Sequence, residues 1–494
     1  MPGPPPIDPD VPDRFPAEVA RRWRRDVLPF LEAFARVPDV SPGFDPDWEA
    51  TGHIEAAAGL LATWASHRSI PGLTVDVVRL PGLTPTVVVE VPPSDGGVEG
   101  SLLVYGHYDK QPPFDGWTGG RAAWSPSLEG DRLYARGVAD DGYALPSALV
   151  ALESLAAAGV RHGRCVLVAE GSEESGSPHL PAVLDHLAGR IGRPGLVVAL
   201  DSGCPTYDRL WATTSLRGVV DGTLTVSVLE HGVHSGSAGG AVPDSFRLAR
   251  HLLDRIEDPV TGDLILPELR VEPPAGAAGA AAMLADLLAA GGHEDDAFPV
   301  VEGVRLEGSG PADRVIRTSW AASLAVVGAD GLPPAATAGN VLRPSTTLKL
   351  VFRLPPTVDA RIAAASIRHA LTDVPPAGAR VEWTEGGAAD GWAAAPYAPW
   401  LDGALDAASL ACFGMPAGRF GEGGSIPFMG WLTSRYPEAE LLAMGVLGPG
   451  SNAHGPDEAL HLPTAERVTS ALGMLVAAHA RHSERGPVTG PGCL

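Results

Sequence analysis

Short apolar runs alternate with helical segments in the first part of the chain, and this alternation constrains the fold more than any other feature. The runs are rich in residues that favour β-strands, and they end near residues 107, 170 and 200. The segment after Tyr143 lies between the first two runs, and its apolar residues recur at the spacing of a helix. Strands joined through helices form parallel sheets that are covered on both faces. We therefore expect an α/β fold with a mostly parallel sheet.

Polar side chains follow these runs at the point where each run ends. His107 and Asp109 close the first run, and in a strand two residues at this spacing point to the same face. Adjacent Glu173 and Glu174 follow the second run, and Asp201 follows the third. The carboxyl ends of parallel strands meet at one edge of a sheet, where open α/β folds bind ligands. The sequence therefore predicts that these side chains lie together.

A different order of elements begins near Leu216. Alternating and helical patterns predict, in turn, a strand at 219–229, a helix at 243–256, strands at 321–327 and 346–353, a helix at 360–371 and a strand at 380–384. This β-α-β-β-α-β order is the ferredoxin-like arrangement. Ala/Gly-rich sequence at 259–317 interrupts it, and we assign no function to that insertion.

The α/β pattern resumes near residue 393. It predicts a helix at 401–412, a strand at 441–447 and a closing helix from Thr464. We therefore expect a catalytic domain whose two parts, 1–215 and 393–494, complete one sheet. A smaller domain at 216–392 would be inserted between these parts.

Composition disfavours several classes of partner. The formal net charge of −23 disfavours nucleic acids and anionic membranes. No apolar run is long enough to cross a membrane, and the N-terminus lacks the pattern of a secretory signal. Four scattered cysteines, with no Cys-x-x-Cys pair, indicate reduced thiols and not a zinc–thiolate site. These features predict a cytoplasmic protein.

The polar side chains near the predicted strand ends suit a transition metal. Asp140 and His454 join them from two loops, 136–143 and 448–454. Imidazole and carboxylate together suit Zn²⁺, whereas Mg²⁺ and Ca²⁺ favour oxygen ligands alone. Taken singly, each Asp or His is more often a turn former or a helix cap. Their placement at one edge of the sheet is what favours a metal site.

These motifs together resemble those of the M20 family of zinc metallopeptidases, which includes carnosine-type dipeptidases, succinyl-diaminopimelate desuccinylases and aminoacylases. The resemblance spans about residues 14–484. It rests on the strings Gly106-His107-Tyr108-Asp109, Arg136-Gly137 leading to Asp140-Asp141, Glu173-Glu174-Ser175-Gly176-Ser177, Asp201, and Gly448-Pro449-Gly450-Ser451-Asn452-Ala453-His454.

The resemblance implies two zinc ions per subunit, with Mn²⁺ or Co²⁺ as possible substitutes. Asp140 would bridge the two ions. His107 and Asp201 would complete one site, and Glu174 and His454 would complete the other.

The resemblance also implies two catalytic roles near the metal ligands. Asp109 would orient the imidazole of His107. Glu173 would act as the general base that activates water.

The inserted domain resembles the lid of the family, which implies a homodimer formed through that domain. His234, in the string Glu230–Gly236, would reach the active site of the partner subunit. Asn340 would hold the scissile carbonyl and Arg353 the substrate carboxylate, although Arg353 could also be an ordinary surface residue of a strand. The loop Gly423-Gly424-Ser425-Ile426-Pro427 would bind the C-terminal carboxylate of the substrate, which assigns Gly424 and Ser425 to substrate binding.

One string departs from the family pattern. Many relatives have Asp-Asp-Lys-Gly after the bridging aspartate, whereas this chain has Asp140-Asp141-Gly142-Tyr143. Together with the string Tyr-Gly-His-Tyr-Asp-Lys-Gln-Pro at 105–112, this departure resembles a dipeptidase-like or desuccinylase-like branch of the family. We expect a zinc-dependent hydrolase that cleaves dipeptides or similar small substrates with a free C-terminal carboxylate. An N-acyl-amino-acid deacylase, such as a succinyl-diaminopimelate desuccinylase, would use the same residues and stays open. A catalytically silent metal-binding member is the third interpretation.

Overall fold

The computed structural model describes residues 11–94, 100–290, 300–424, 426 and 428–485. The chain divides into two compact units. The first unit contains the described residues within 1–213, 394–419 and 431–494, and the second contains those within 214–393 and 420–430. The domain limits expected from the sequence stay a prediction, because compactness alone does not define parts that fold separately. In the described part of the chain, no helix is both long and apolar enough to cross a membrane.

The first part of the chain consists of helices and strands up to residue 216. Its helices are α1 (Phe15–Arg22), α2 (Leu28–Phe34), α3 (Trp48–Thr51), α4 (His53–Ser66), α5 (Ala144–Ala158), α6 (Leu180–His186) and α7 (Ala188–Ile191). Its strands are β1 (Thr74–Val78), β2 (Thr86–Val91), β3 (Ser101–His107), β4 (Ser127–Glu129), β5 (Arg132–Tyr134), β6 (Arg164–Glu170), β7 (Leu196–Ala199) and β8 (Trp211–Leu216).

The middle of the chain follows directly after β8. Its strands are β9 (Gly218–Ser227), β10 (Val233–His234), β11 (Ser323–Asp330), β12 (Val341–Leu342), β13 (Ser345–Leu354), β14 (Arg380–Ala389) and β15 (Trp392–Ala393). Its helices are α8 (Ser235–Ala238), α9 (Ser245–Leu253), α10 (Ala277–Ala290), α11 (Pro311–Ser319) and α12 (Ala360–Thr372).

The last part contains the remaining α-helices and β-strands. They are α13 (Pro399–Phe413), β16 (Gly418–Glu422), α14 (Phe428–Arg435), β17 (Glu440–Ala443), β18 (Ala459–His461) and α15 (Leu462–Arg485). The strand predicted at 441–447 thus ends at Ala443, and the closing helix begins at Leu462, two residues before the predicted start.

The main sheet has a parallel centre. Neighbouring strands follow the order β1-β2-β6-β3-β7-β17-β8. β3 pairs in parallel with β6 and β7, and β17 pairs in parallel with β7. Antiparallel strands flank this centre, with β2 on β6 and β8 on β17. The predicted parallel α/β sheet is confirmed in this centre, so the carboxyl ends of β3, β6 and β7 meet at one edge.

Helices with buried apolar faces hold the sheet in place. β3, β6 and β7 are almost fully buried, as expected for strands covered on both faces. Every residue of α5 from Ala144 to Leu155 is buried, and α1 and α15 pack against this helix. Each fully buried Leu or Val stabilises the fold by about 1.5–3 kcal/mol. This core fixes the edge of the sheet at which the polar side chains emerge.

The N-terminal helical region differs from its sequence-based prediction. Helical spacing predicts one helix over 17–37 with a kink at Pro29. A π-helical segment, Trp23–Val27, instead joins α1 to α2 before the proline is reached. Pro29 lies in the first turn of α2, where its missing N–H breaks no helical hydrogen bond.

The second unit contains the predicted ferredoxin-like arrangement. Its antiparallel sheet has the order β11-β13-β9-β14, with α9 and α12 in the β-α-β-β-α-β sequence. β9 and β13 alternate buried and half-buried residues along their whole length, because one face of the sheet packs against the two helices. Residues such as Leu252 of α9 and Ile367 of α12 are fully buried there.

Candidate metal centre

The predicted ligands lie at the edge where the parallel strands end. His107 is the last residue of β3, the 3₁₀ turn Glu173–Ser175 follows β6, and Asp201 lies two residues beyond β7. Asp140 lies in the turn before α5, and His454 lies in the loop between β17 and β18. The structure therefore brings the predicted metal ligands together.

Two groups of three side chains among the described residues place their ligand atoms within 4.8 Å of one another. One group is His107, Asp140 and Asp201, and the other is Asp140, Glu174 and His454. Nε2 of His107 lies 3.2 Å from Oδ1 of Asp140 and 3.8 Å from Oδ2 of Asp201. Nε2 of His454 lies 3.1 Å from Oδ2 of Asp140 and 3.1 Å from Oε2 of Glu174. Asp140 thus turns one carboxylate oxygen toward each group.

Asp109 joins His107 to the turn after β6. Its carboxylate accepts hydrogen bonds from the backbone N–H groups of Glu173 and Glu174, at 3.0 and 3.1 Å. Nδ1 of His107 lies 3.1 Å from the backbone oxygen of Asp109 and 3.5 Å from its Oδ1. Two oxygens beside Nδ1 favour a proton on that nitrogen, which leaves Nε2 as the metal-binding atom of a neutral ring.

Glu173 lies beside the ligands but belongs to neither group. Its Oε2 lies 4.0 Å from Nε2 of His107. Burial, and then the negative charge of Asp201, raise the pKa of Glu173 well above its ordinary value. A higher pKa makes a carboxylate a stronger proton acceptor, as a general base requires.

The two imidazoles offset part of the negative charge of this cluster. Partial burial opposes a charged His454, but its hydrogen bonds with Asp140 and Glu174 raise its pKa to about 11. Burial likewise disfavours the charged form of His107. Hydrogen bonds of its ring with Asp109 and Asp140 outweigh the effect of burial, so the pKa of His107 lies well above its ordinary value. A metal ion that bound Nε2 of either ring would replace the proton on that nitrogen.

The donor set fits a pair of ions of the zinc type. Each group offers one imidazole nitrogen and two carboxylate oxygens, a mixed set that suits Zn²⁺, Mn²⁺ or Co²⁺ better than Mg²⁺. The side chain of His454 is 59% exposed, whereas that of His107 is fully buried. An ion could therefore reach the group that contains His454 directly from solvent.

Two of the predicted substrate-binding residues are neighbours in the second unit. His234 ends β10, and the backbone oxygen of Asn340 accepts a hydrogen bond from Ser235 N–H at 2.9 Å. Nδ1 of His234 accepts a hydrogen bond from Gly236 N–H at 3.1 Å. The neutral ring therefore carries its proton on Nε2, and the exposed side chain presents a donor.

Arg353 and Gly424, also in the second unit, share Arg217 as a neighbour. The backbone N–H of Arg217 donates to the oxygen of Gly424 at 3.0 Å, and its Nε donates to the oxygen of Gly423 at 3.0 Å. Burial, and then the nearby positive charge of Arg353, lower the pKa of Arg217 to about 10. Ser425 lies outside the described residues. Sequence reasoning overlooked Arg217, which has no motif of its own.

A family comparison connects this geometry to known proteins. The model of peptidase family M20/M25/M40 matches residues 103–478, a span that contains every candidate ligand and catalytic residue. The chain belongs to this family. It is thus a hydrolytic peptidase, and the family consists of dinuclear metal enzymes.

Relatives of this M20 peptidase include dipeptidases. The chain is 28% identical over 458 residues to the cysteinylglycine-S-conjugate dipeptidase of Corynebacterium striatum, which covers 90% of this chain and 93% of that protein. Its fold is similar to that of the dipeptidase Dug1p from Saccharomyces cerevisiae (TM-score 0.77, 18% identity, 95% of this chain and 98% of that one). It is also similar to human carnosine dipeptidase 1 (TM-score 0.76, 17% identity, 97% of this chain and 100% of that one).

A buried glutamate that sequence reasoning overlooked supports the turn after β6. Glu170 accepts hydrogen bonds from the hydroxyls of Tyr105, Ser177 and Ser172, at 2.6, 2.7 and 2.8 Å. Burial, and then the charge of Asp109, raise its pKa to about 7. The only available signal was its position directly before the Gly-Ser-Glu-Glu string.

Further buried groups in this M20 peptidase contact the ligands or the turns that carry them. Nε2 of Gln111 donates to Oε2 of Glu174 at 2.6 Å. Arg136 and Glu458 form a fully buried ion pair of 2.9 Å beside the turn that carries Asp140. Gln111 and Arg136 belong to recognised strings, but Glu458 was overlooked.

Proposed function

We propose that this M20 peptidase hydrolyses the amide bond of dipeptides and similar small substrates with a free C-terminal carboxylate. The observation that carries the proposal is the position of Asp140, which belongs to both groups of candidate metal ligands. Each group combines an imidazole nitrogen with carboxylate oxygens, and Glu173 lies beside them. The 28% identical dipeptidase, which matches over nearly the whole chain, favours a dipeptide over an acylated amino acid as substrate.

Two zinc ions are the proposed cofactors, with Mn²⁺ or Co²⁺ as substitutes. His107 and Asp201 would hold one ion, Glu174 and His454 the other, and Asp140 both. When bound, these ions would polarise the scissile carbonyl and lower the pKa of the attacking water toward about 7.

Glu173 is the proposed general base. Its carboxylate oxygen would accept a proton from the water during attack on the carbonyl carbon and then transfer that proton to the leaving amine nitrogen. The hydrogen bonds from the N–H groups of Glu173 and Glu174 to Asp109 hold the turn that carries this carboxylate. Asp109 would therefore position both the base and the imidazole of His107.

The second unit is the proposed source of substrate-binding groups. Arg353, with Gly424 and Ser425, would hold the substrate carboxylate, because a guanidinium can form two parallel hydrogen bonds with it. Asn340 would contact the scissile carbonyl. The Nε2–H of His234, from the partner subunit, would stabilise the oxyanion that forms during attack.

A homodimer formed through the second unit is part of this proposal. β11 forms one edge of the β11-β13-β9-β14 sheet, and the side chains of Val326 and Val327 on it are 49% and 60% exposed. Exposed edge strands readily pair with another chain. Val327→Glu should shift the protein from dimer to monomer in sedimentation velocity, and an unchanged dimer would exclude this strand as the interface. A cytoplasmic location stays a prediction.

Amine release from a substrate panel tests the proposed activity. The panel contains free dipeptides, the same dipeptides N-acetylated, and N-succinyl-diaminopimelate, each with zinc and with chelator. We expect cleavage of the free dipeptides that chelator abolishes and zinc restores. Cleavage of the acylated compounds alone would establish the deacylase instead, and cleavage of free dipeptides that chelator leaves unchanged would overturn the metal-dependent mechanism.

A further inference from the structure

Glu458 is a fully buried carboxylate with four donors directed at it. Oε2 accepts hydrogen bonds from Nη1 of Arg136 and from the N–H of Gly137, both at 2.9 Å. Oε1 accepts hydrogen bonds from the N–H groups of Ala139 and Asp140, at 3.1 and 3.3 Å. Both carboxylate oxygens are thus used to hold one turn, which ends at the aspartate shared by the two ligand groups.

Arg136 extends the same contacts to the loop that carries His454. Its Nη2 donates to the backbone oxygen of Gly455 at 2.7 Å, and its Nε donates to that of Pro112 at 3.1 Å. The ion pair of Arg136 with Glu458 therefore joins the turn of Asp140 to the loop of His454. Neither side chain is more than 1% exposed, so water does not compete for these donors.

The loop of His454 needs such support because its backbone is strained. His454 has φ 63°, and Asn452 and Asp457 have φ 49° and 58°. Left-handed conformations cost free energy in residues other than glycine, and they persist only where the surroundings over-determine them. The bonds of Arg136 to Gly455 and to Glu458 lie on the two sides of Asp457 and supply that constraint.

We propose that Glu458 is a positioning residue that holds Asp140 and His454 in the geometry needed to bind metal. The proposal rests on the metal centre of the proposed function, but it concerns groups that do not themselves touch the ions. Residues beyond the ligands that orient them change metal affinity by about 10–100-fold when they are replaced.

Glu458→Gln is the sharpest substitution because it keeps the size of the side chain. A glutamine has one acceptor oxygen and an NH₂ group that only donates. If the NH₂ group takes the place of Oε2, it faces the donors of Arg136 and Gly137. If it takes the place of Oε1, it faces the donors of Ala139 and Asp140. The turn of Asp140 therefore loses half of its support while the shape of the core is retained.

Glu153→Gln is the matched control. Glu153 is also a buried glutamate of the first unit, with a side chain only 6% exposed, and it lies near Arg22 and Arg68. It accepts a hydrogen bond from the N–H of Ser69 at 3.0 Å. The acceptor oxygen of a glutamine keeps this bond, so Glu153→Gln removes a buried negative charge without disturbing a turn of the metal centre. It contacts none of the candidate ligands.

Zinc affinity, measured by competition with a chromophoric chelator, tests the proposal without a substrate. We expect Glu458→Gln to weaken zinc binding at least about tenfold, and Glu153→Gln to bind both ions as the wild type does. Thermal unfolding of the metal-free proteins shows whether the two variants lose similar stability. Affinities within twofold of wild type in Glu458→Gln, or an equal loss in Glu153→Gln, would overturn the positioning role.

Arg136→Lys keeps the proposal testable if Glu458→Gln does not fold. Lysine keeps the positive charge but cannot contact Glu458, Gly455 and Pro112 at once. We expect the ion held by His454 to bind at least several-fold more weakly than in wild type, and unchanged affinities would overturn the proposal. A wild type that binds no zinc would overturn the metal centre as well, which separates that failure from the failure of Glu458 alone.

Discussion

The candidate metal centre and the candidate substrate-binding residues differ in how their surroundings constrain them. In the first unit, Asp140 is buried and contacts the imidazoles of His107 and His454, and N–H groups of its turn are bonded to a buried carboxylate. In the second unit, His234, Asn340 and Gly424 are exposed at the ends of short strands or in a loop. A site that binds ions needs a fixed geometry before the ion arrives, whereas groups that contact substrate can stay hydrated until it binds. Substitutions should therefore affect metal content and turnover in the first unit, and KM in the second.

The largest effect should follow loss of the carboxylate that both ligand groups share. Asp140→Asn removes the charge that His107 and His454 contact at 3.2 and 3.1 Å. We expect weaker binding of both ions and a fall in kcat on the order of 10⁴-fold, because the ions stabilise the transition state by several kcal/mol. Asp185→Asn, at a side chain that is 70% exposed, is the control. Full retention of both ions in Asp140→Asn would contradict the shared-ligand assignment.

Glu173→Gln should separate catalysis from metal binding within the first unit. Glu173 belongs to neither ligand group, so we expect zinc content to stay at the wild-type level while kcat falls about a thousandfold, as for loss of a general base. Zinc content and turnover are measured on the same preparation. Near-normal turnover with both ions bound would show that another group is the base.

Arg353→Met should show the contrasting behaviour of the second unit. Loss of a charged hydrogen-bond partner costs about 1.5–3 kcal/mol, so we expect KM for a dipeptide to rise about 10–100-fold with a smaller change in kcat and unchanged zinc content. Arg361→Met is the control, since that side chain is 88% exposed and pairs with Asp359, the residue directly before α12. A fall in kcat without a change in KM would place Arg353 outside the carboxylate site.

The smallest effect concerns the acid sensitivity of α15, the closing helix of the first unit. Burial, and then the charge of His482, lower the pKa of His479 to about 4, whereas the unfolded chain protonates this ring below about 6.5. The unfolded state therefore binds the extra proton as pH falls from about 6.5 to 4, and stability falls by up to about 1.4 kcal/mol per pH unit.

His479→Gln should remove this part of the pH dependence. Urea unfolding of the metal-free protein at pH 7, 5.5 and 4.5 measures the slope in wild type and variant. His369→Gln, at a side chain that is 77% exposed on the second unit, is the control for the loss of one histidine. An equal slope in wild type and His479→Gln would contradict the assignment.

The sequence predicts the ligands better than it predicts the groups that support them. His107 and Asp201 were identifiable because apolar runs end at them, and a parallel sheet brings such ends to one edge. The ferredoxin-like order could also be predicted from the sequence. Buried and half-buried residues alternate along β9 and β13, so apolar residues recur at every second position of these strands. Both predictions depend on patterns that repeat along the chain.

Glu458 and Arg217 were not predictable in this way. Glu458 bonds mainly to backbone N–H groups that lie more than 300 residues away in sequence, and every residue except proline presents such a group. Arg217 bonds to backbone oxygens of Gly423 and Ala321. A backbone group can come from almost any residue type, so the sequence does not reveal which residues bond to Glu458 or Arg217. The folded structure is needed to identify these contacts.

The position of β17 has a consequence for biosynthesis. This strand lies between β7 and β8 in the sheet, yet the ribosome makes it only after the entire middle part of the chain. A nascent chain that has completed β8 therefore has a gap in its sheet, with the pairing groups of β7 exposed on one side, a state that favours aggregation. The same nascent chain carries Asp140 but not yet His454. If His454 holds an ion as proposed, that ion would bind only after the final part of the protein has left the ribosome.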